Sequence, residues 1–219
     1  MDSLRRLWQF IIDIVFPQSP DIEGLEKKTA GELEDILNKN DRDLGDNVSA
    51  IFSYRDKKVR AIIWEIKYRG NKKLASLCGE IIYNNLLEEL SDRGLFENFN
   101  KPLLIPIPVT DTRRRERGWN QMELIALNIL KFDTEHTLEY APDLVKKIKD
   151  TKSQTKTQNK KERLENLKGS FSVEMTEKLH NRNIILLDDV ITTGSTISEV
   201  KKVLKEAGAK KIISIALAH

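Results

Sequence analysis

The stretch "NIILLDDVITTGSTISEVKKVLKEAGAKKIISIALA" (183–218) decides the fold of this chain. It begins with a continuous apolar run, which is typical of a strand buried on both faces of a parallel sheet. A helical pattern follows, with apolar residues from Ile197 to Ala207 on one face and Gly208 at its end. A second apolar run covers residues 210–218. Strand, helix and strand in this order predict a βαβ unit, and therefore an α/β fold with a mainly parallel central sheet.

Strand and helix patterns also alternate over the preceding residues. They predict strands over 47–54 and 102–109 and helices over 58–66, 73–90 and 118–130. Residues 131–168 are mostly polar and strongly basic, and they are too long for an ordinary connection. Such a segment is typical of a functional lid or of disorder.

The first 45 residues differ from the rest in charge. They carry ten acids and six bases, whereas residues 146–163 carry eight bases and two acids. We predict a short amphipathic helix over 3–16, ended by Pro17, and a loosely ordered or weakly helical stretch over 18–47. The predicted organisation is a small N-terminal helical segment (1–45) followed by the main domain (46–219).

Composition favours a cytoplasmic globular protein. The 219 residues are 39% hydrophobic, enough to bury a core, and the 37 basic and 34 acidic residues nearly balance. Cys78 is the single cysteine, so an intramolecular disulfide and a cysteine-based zinc site are excluded, and we expect Cys78 to pack in the core. The apolar run 7–16 is too short to span a bilayer, so we expect no membrane insertion.

Two adjacent acids, Asp188 and Asp189, end the first strand of the βαβ unit. Ligands of open α/β sheets bind beyond the carboxyl ends of the strands, and carboxylates accept hydrogen bonds from vicinal hydroxyls such as those of a ribose. The loop "TTGST" (192–196) then offers hydroxyl groups, a glycine and a helix start, which together favour an anion. Acids for hydroxyls beside a cradle for a phosphate indicate a sugar phosphate.

Other interpretations of this stretch were weighed. A Gly-Ser-Thr sequence before a helix is often only an N-cap. Receiver domains also hold Mg²⁺ on an acidic pair after a strand, but that pair lies near the N-terminus and lacks the threonine-glycine loop. A Walker A loop requires a lysine after its glycine, whereas Gly194 is followed by Ser195.

The segment "IILLDDVITTGST" (184–196) resembles the phosphoribosyl pyrophosphate (PRPP) signature of type I phosphoribosyltransferases. Three further segments are similar to the ComF (competence protein F) family: "IKYRGNKKLASLCG" (66–79), "IPIPV…RRRERGWNQMELIA" (105–126) and "KDTKSQTKTQNKKERLENLKGSFSV" (149–173). The resemblance covers residues 48–219. It implies the type I phosphoribosyltransferase fold, a central sheet flanked by helices.

The resemblance also implies a reaction and its residues. Phosphoribose would pass from PRPP to an unknown acceptor with inversion at the anomeric carbon, with Mg²⁺ bound mainly through PRPP. Asp188 and Asp189 would bind the ribose hydroxyls and so be the catalytic residues, and the pyrophosphate would face the loop after the 102–109 strand. The 5′-phosphate would lie on Thr192, Thr193, Gly194, Ser195 and Thr196.

Basic residues supply candidates for pyrophosphate binding. The mobile loop of type I enzymes implies charged contacts from a lid, and the "RRRER" cluster (113–117) offers further ones. The predicted residues are Arg113, Arg117, Lys152, Lys156, Lys160 and Arg163. The alternatives are a solvated lysine-rich loop without a ligand and an exposed helix start docked by Gly118 and Trp119.

The chain departs from ComF relatives at its N-terminal end. Many relatives carry a zinc module with paired cysteines, whereas "IVFP" (14–17) is followed here by no cysteine. An alternative function is a competence factor that binds single-stranded DNA during DNA uptake and keeps a regulatory or vestigial PRPP site. Against it, no aromatic residue interrupts the basic run 146–163 to stack on bases.

Overall fold

The computed structural model describes residues 22–45, 47–149 and 167–219. Several predictions lie outside the described residues. They concern the N-terminal helix over 3–16 and the lid residues Lys152, Lys156, Lys160 and Arg163.

A five-stranded parallel sheet forms the centre of the fold, in the order β1-β7-β6-β2-β3. The strands are β1 (Val48–Phe52), β2 (Leu103–Pro106), β3 (Glu139–Tyr140), β6 (Ile184–Val190) and β7 (Ile212–Ala218). β6 and β7 run parallel in register from Ile184 opposite Ile212 to Val190 opposite Ala218. The predicted strand-helix-strand unit and the parallel sheet are therefore confirmed.

Helices cover the sheet. They are α1 (Ile22–Glu26), α2 (Ala30–Ile36), α3 (Lys57–Trp64), α4 (Lys72–Glu97), α5 (Asp111–Arg117), α6 (Gln121–Phe132) and α7 (Ser195–Glu206). Successive side chains of β6 point to opposite faces. Ile185 and Leu187 join the cluster under α3, α4 and α6, while Ile184 and Leu186 join the cluster under α7. Burial on both faces explains the unbroken apolar run of β6.

A short second sheet flanks the basic segment. β4 (Val145–Lys147) and β5 (Phe171–Val173) pair antiparallel, with residues 148–170 between them. The prediction of 131–168 as a single irregular segment is wrong over its first part. β3 and β4 lie within it, because Leu138, Leu144 and Val145 are buried against the main sheet.

The segment before β1 packs against the core. Ile22, Leu25 and Leu33 are buried in the same cluster as Leu74 of α4. Thr29 and Glu32 form a capping box at the start of α2. Residues 18–47 were expected to be loosely ordered or weakly helical, and residues 22–45 follow the second alternative, with two short helices that bury apolar side chains.

The helix predicted over 118–130 is observed as α6, which begins at Gln121, and a separate short helix precedes it. Thr110 caps α5, and Gly118 ends it in a left-handed conformation at φ 86°. Asn120 then caps α6, accepting a hydrogen bond from the Met122 N–H. The arginine cluster therefore forms a short helix of its own. Within the described ranges, no helix is long and apolar enough to cross a membrane.

Close contact between α4 and α6 provides a test of the packing. A Cβ atom at Gly79 would lie 2.8 Å from the Cβ of Asn128, whereas one at Gly94 on the same helix would meet only Asn100 Oδ1, at 3.5 Å. Overpacking costs about 1–3 kcal/mol, and alanine gains about 1 kcal/mol over glycine in a helix. We expect Gly79→Ala to lower the free energy of unfolding in urea and Gly94→Ala to leave it equal or higher. Equal stability of both variants would contradict this packing.

Candidate active site

The acidic pair lies at the carboxyl end of β6. Asp189 is buried at 7% relative exposure, and Asp188 is partly exposed. The Asp189 N–H donates to Asp188 Oδ1 at 2.9 Å. Beyond the pair, the Ile191 N–H still donates to Ala218 of β7 at 2.9 Å. The sheet thus holds the two carboxylates at the point where the chain turns toward α7.

Asp189 has two strong partners. Its Oδ2 accepts a hydrogen bond from Gln121 Nε2 at 2.6 Å and forms an ion pair with Lys67 Nζ at 2.9 Å. The Lys67 side chain is 21% exposed. A carboxylate in such a place requires a nearby cation and donors, because burial removes its hydration. No local pattern predicts this role for Lys67, although it lies in the segment 66–79, which is similar to the ComF family.

Local structure explains how Lys67 reaches the pair. α3 continues into a π-helical turn, Glu65–Arg69, which ends at Gly70 in a left-handed conformation at φ 62°. The Trp119 ring covers Gly70 so closely that a Cβ there would lie 2.9 Å from it. Trp119 Nε1 also donates to the Ile66 carbonyl at 3.0 Å. The α5–α6 junction therefore clamps the turn that carries Lys67.

Arg117 joins the same cluster. Its guanidinium lies 4.9 Å from the centre of the Tyr68 ring and donates to Gln121 Oε1 at 3.1 Å. The amide of Gln121 thus links Arg117 to Asp189. Arg113 lies one turn earlier on α5 and is half-buried. Of the two predicted arginines, the structure brings Arg117 to the acidic pair.

The two carboxyl groups differ in their electrostatics. Burial raises the pKa of Asp188 to about 7, with a further contribution from the charge of Asp189, and the Asp189 N–H only partly offsets this. Burial acts to lower the pKa of Lys67, but the charge and hydrogen bond of Asp189 outweigh it, so the pKa is raised. Near neutral pH, Asp188 is therefore the group of this cluster that exchanges a proton.

The predicted phosphate loop, 192–196, leads directly into α7. Gly194 is the N-cap residue at φ 73°, and no side chain caps the helix. A non-glycine residue would be strained there by its backbone, although space for a Cβ is open. Thr193 Oγ1 and Ser195 Oγ are hydrogen-bonded to each other, and Ser195 is buried. The loop thus offers the N–H groups of a helix start without a side-chain cap, next to two hydroxyl groups, and such groups suit an anion.

Two cavities flank the end of β6. The β2-side cavity has a volume of about 510 Å³ and is lined by Pro108, Val109, Thr110, Asp111, Thr112, Arg114, Glu123, Pro142, Asp143, Val145, Lys146, Lys147 and Ile148. The β7-side cavity has a volume of about 500 Å³ and is lined by Asn38, Lys39, Asn40, Asp41, Arg42, Ser53, Tyr54, Arg55, Arg60, Val190, Ile191, Thr192 and His219. The sheet order β7-β6-β2 puts them on opposite sides of the acidic pair.

Other predicted roles can be located as well. Cys78 is buried in the core as expected, and burial raises the pKa of its thiol to about 12. His219 is partly buried, with Nδ1 2.8 Å from the Ile191 carbonyl oxygen. In the described part of the chain, no three His, Cys, Asp or Glu residues form a group that could hold a metal ion.

Comparisons with known proteins agree with this geometry. Residues 136–219 match the phosphoribosyl transferase domain family. Competence protein F of Haemophilus influenzae is 34% identical over 110 residues, which are 50% of this chain and 46% of that protein. Competence protein ComFC of Streptococcus pneumoniae is 30% identical over 168 residues, 77% of this chain and 66% of that protein. DNA utilization protein YhgH of Escherichia coli (strain K12) is 25% identical over 151 residues, 69% of this chain and 63% of that protein.

The chain therefore spans between about half and two thirds of the length of these relatives. Among solved structures, a hypoxanthine phosphoribosyltransferase from Staphylococcus aureus is 15% identical, with a TM-score of 0.33 and 61% of each chain covered. A similarity this low supports no residue correspondences.

The parallel sheet, the acidic pair and the glycine-centred loop before α7 define a type I phosphoribosyltransferase fold. More specifically, the chain belongs to the ComF family of phosphoribosyltransferase-like proteins.

The raised pKa of Asp188 predicts a pH-dependent stability. Between about pH 4 and pH 7, Asp188 keeps its proton in the folded protein but loses it in the unfolded chain. The free energy of unfolding therefore falls as pH rises through this range, and the loss is complete above pH 7. Asp188→Asn keeps an acceptor for the Asp189 N–H but cannot ionise. Because one pKa unit corresponds to about 1.4 kcal/mol, we expect Tm to rise by roughly 2–4 °C or more at about pH 8. The gain should shrink at about pH 5.

Asp189→Asn is the matched control. It leaves Lys67 without its counter-charge, so we expect it to lower stability at both pH values, by about 1–3 kcal/mol. Thermal unfolding of the three proteins at the two pH values measures both effects. A Tm gain for Asp188→Asn that is the same at both pH values would show that Asp188 titrates in its ordinary range.

Proposed function

We propose that this protein binds PRPP and transfers its phosphoribosyl group to an acceptor. One observation carries the proposal: the Asp188–Asp189 pair and the uncapped start of α7 lie at the same end of β6. Carboxylates suit vicinal hydroxyls, and N–H groups with hydroxyls suit a phosphate. A single ribose 5-phosphate carries both kinds of group, so one ligand would engage the acidic pair and the loop together.

The two aspartates take different parts in this proposal. Lys67 and Gln121 hold one oxygen of Asp189, so this carboxylate is oriented before any ligand arrives. Asp188 has no ion pair among the described residues, and burial together with the charge of Asp189 raises its pKa. Ribose hydroxyls would supply the missing donors, and binding would favour the ionised form of Asp188. The 5′-phosphate would be held by residues 192–196.

Pyrophosphate would leave on the β2 side. The β2-side cavity is formed by the loop directly after β2 and by residues around β4, and Arg114, Lys146 and Lys147 line it together with the acids Asp111, Glu123 and Asp143. Arg114 is paired with Glu123 and Lys146 with Glu174, so these two cations would exchange their partners for the leaving group, whose neutralisation is the main task of a protein in such a transfer. The Coulomb effect of Lys147 on Asp188 is a sign that this lysine is close to the acidic pair.

The residues of the site fit Mg²⁺ only if the ion is bound mainly through the oxygens of PRPP. In the described chain, Asp188 and Asp189 are the acids at this position, and Asp189 is already paired with Lys67. Mg²⁺ keeps several waters and often relies on phosphate oxygens. Asp188 is therefore the carboxylate that would face the ion on PRPP. The ion would supply charge neutralisation of the pyrophosphate.

Isothermal titration with PRPP and Mg²⁺ tests the proposal. We expect wild type to bind and Asp188→Asn to bind at least about tenfold more weakly, because hydrogen bonds to charged groups contribute about 1.5–3 kcal/mol. Asp35→Asn changes an exposed acid on α2 and serves as the control with unchanged affinity. The proposal fails if wild type does not bind PRPP, or if Asp188→Asn binds it as tightly as wild type.

A second candidate function is the handling of single-stranded DNA. The relatives are named competence and DNA utilization proteins. In this chain α5 exposes Arg114 and Arg115, and arginines on a short exposed helix suit backbone phosphates. Arg114 is, however, already paired with Glu123 through two hydrogen bonds. The candidate therefore depends mainly on Arg115 and on the names of the relatives.

Fluorescence anisotropy with labelled oligo-dT at several salt concentrations tests this candidate. Each phosphate contact adds about 0.7 to the slope of log affinity against log salt concentration, so Arg115→Gln should lower the slope by about that amount. Lys202→Gln, at an exposed position on α7, should leave it unchanged. No affinity at about 50 mM salt would eliminate the candidate.

A further inference from the structure

The β7-side cavity has no role in the binding of PRPP as described above. Its floor is formed by Val190, Ile191 and Thr192, the residues between the acidic pair and the phosphate loop. His219 closes it beside β7, because Nδ1 lies 2.8 Å from the Ile191 carbonyl oxygen. A ribose 5-phosphate held on Asp188 and the loop 192–196 would therefore lie directly at its edge.

The stereochemistry of the reaction indicates a role for this cavity. The inference rests on the proposed phosphoribosyl transfer. In an inverting displacement the nucleophile and the leaving group occupy opposite faces of the anomeric carbon. The lone pair of an acceptor nitrogen forms the C1–N bond while the C1–O bond breaks, pyrophosphate leaves with the bonding pair, and the nitrogen loses its proton to solvent. If pyrophosphate occupies the β2-side cavity, the acceptor must enter from the β7 side.

The lining of the β7-side cavity indicates the charge of that acceptor. Four cations line it, Lys39, Arg42, Arg55 and Arg60, and Asp41 is the one acid among the described lining residues. Two of these cations already have partners. Lys39 forms an ion pair with Glu34, and the Arg60 guanidinium donates to the Tyr54 and Arg55 carbonyls at 3.3 and 3.1 Å.

The remaining two cations are available for a ligand. The side chains of Arg42 and Arg55 are exposed at the rim and make no hydrogen bond or ion pair with another described residue. Guanidinium groups bind carboxylates in bidentate geometry. Tyr54, at 37% exposure, lines the same cavity and offers an aromatic ring.

We infer that the β7-side cavity is the acceptor site and that it takes an anionic nitrogen nucleophile, whose acid group is bound by Arg42 and Arg55. Such an acceptor would carry a carboxylate on a planar ring. The ring would lie against Val190 and Tyr54, with its nitrogen toward the anomeric carbon. Neutral rings of the same shape would bind more weakly because they leave both arginines without a counter-charge.

Two nucleotides that differ by one carboxylate test this inference. Orotidine 5′-monophosphate and uridine 5′-monophosphate share the ribose 5-phosphate and the ring, so both report on the phosphate loop, and the first alone carries an acid group on its base. By isothermal titration we expect wild type to bind the first at least about fivefold more tightly, as one charged hydrogen bond implies.

Arg42→Gln combined with Arg55→Gln should reduce this preference to within about twofold, since it removes the charged partners of the carboxylate. Lys202→Gln, which removes an exposed cation on α7 that lines neither cavity, is the control and should keep the preference. PRPP affinity should stay within about twofold of wild type in the double variant, because neither arginine belongs to the PRPP contacts.

The outcomes separate the two proposals. If PRPP binds but wild type does not prefer the acidic nucleotide, the inference about the acceptor is overturned and the proposed function stands. The same follows if the double variant keeps the preference. If neither PRPP nor either nucleotide binds, the phosphoribosyl site itself is refuted, and the acceptor site with it.

Discussion

The ion pair between Asp189 and Lys67 constrains how the segments around the carboxyl end of β6 are arranged. A largely buried carboxylate without partners costs several kcal/mol, so its two donors have to be held in place. The π-helical turn carries Lys67, and the first residue of α6 supplies Gln121. The contact of Trp119 with Gly70 and the contact of Arg117 with Tyr68 join these two elements. The carboxylate of Asp189 thus contacts groups from both the π-helical turn and α6, which are distant from β6 in the chain.

Because of this ion pair, the two carboxylates of the acidic pair have different surroundings. Asp189 is oriented by protein partners, whereas Asp188 accepts one backbone N–H, and burial and its neighbour's charge outweigh the favourable effects of Lys67 and Lys147. A buried carboxyl group with so few favourable contacts favours the binding of a ligand that brings hydroxyl donors or positive charge. The stability lost at Asp188 in the free protein is recovered when such a ligand binds.

Topology then divides the surroundings of the pair. Since β6 lies between β7 and β2, each neighbouring strand ends beside a separate cavity. The β2-side cavity contains cations together with acids, and the β7-side cavity contains mainly cations. A transfer reaction with inversion requires two such compartments, one for the leaving group and one for the nucleophile. The position of β6 between its two neighbours therefore suits the transfer that we propose.

Local patterns in the sequence determined the β6–α7–β7 unit, the acidic pair, the phosphate loop and the class of protein. Apolar periodicity and turn chemistry depend on neighbouring residues, so they can be read directly. Only the tertiary structure decided that Lys67 and Gln121 share Asp189, that Arg117 joins them, and that residues 22–37 complete the core. Gln121 and Asp189 are 68 residues apart, and no local pattern encodes such a contact. It arises from the packing of α3 and α6 against the edge of one sheet.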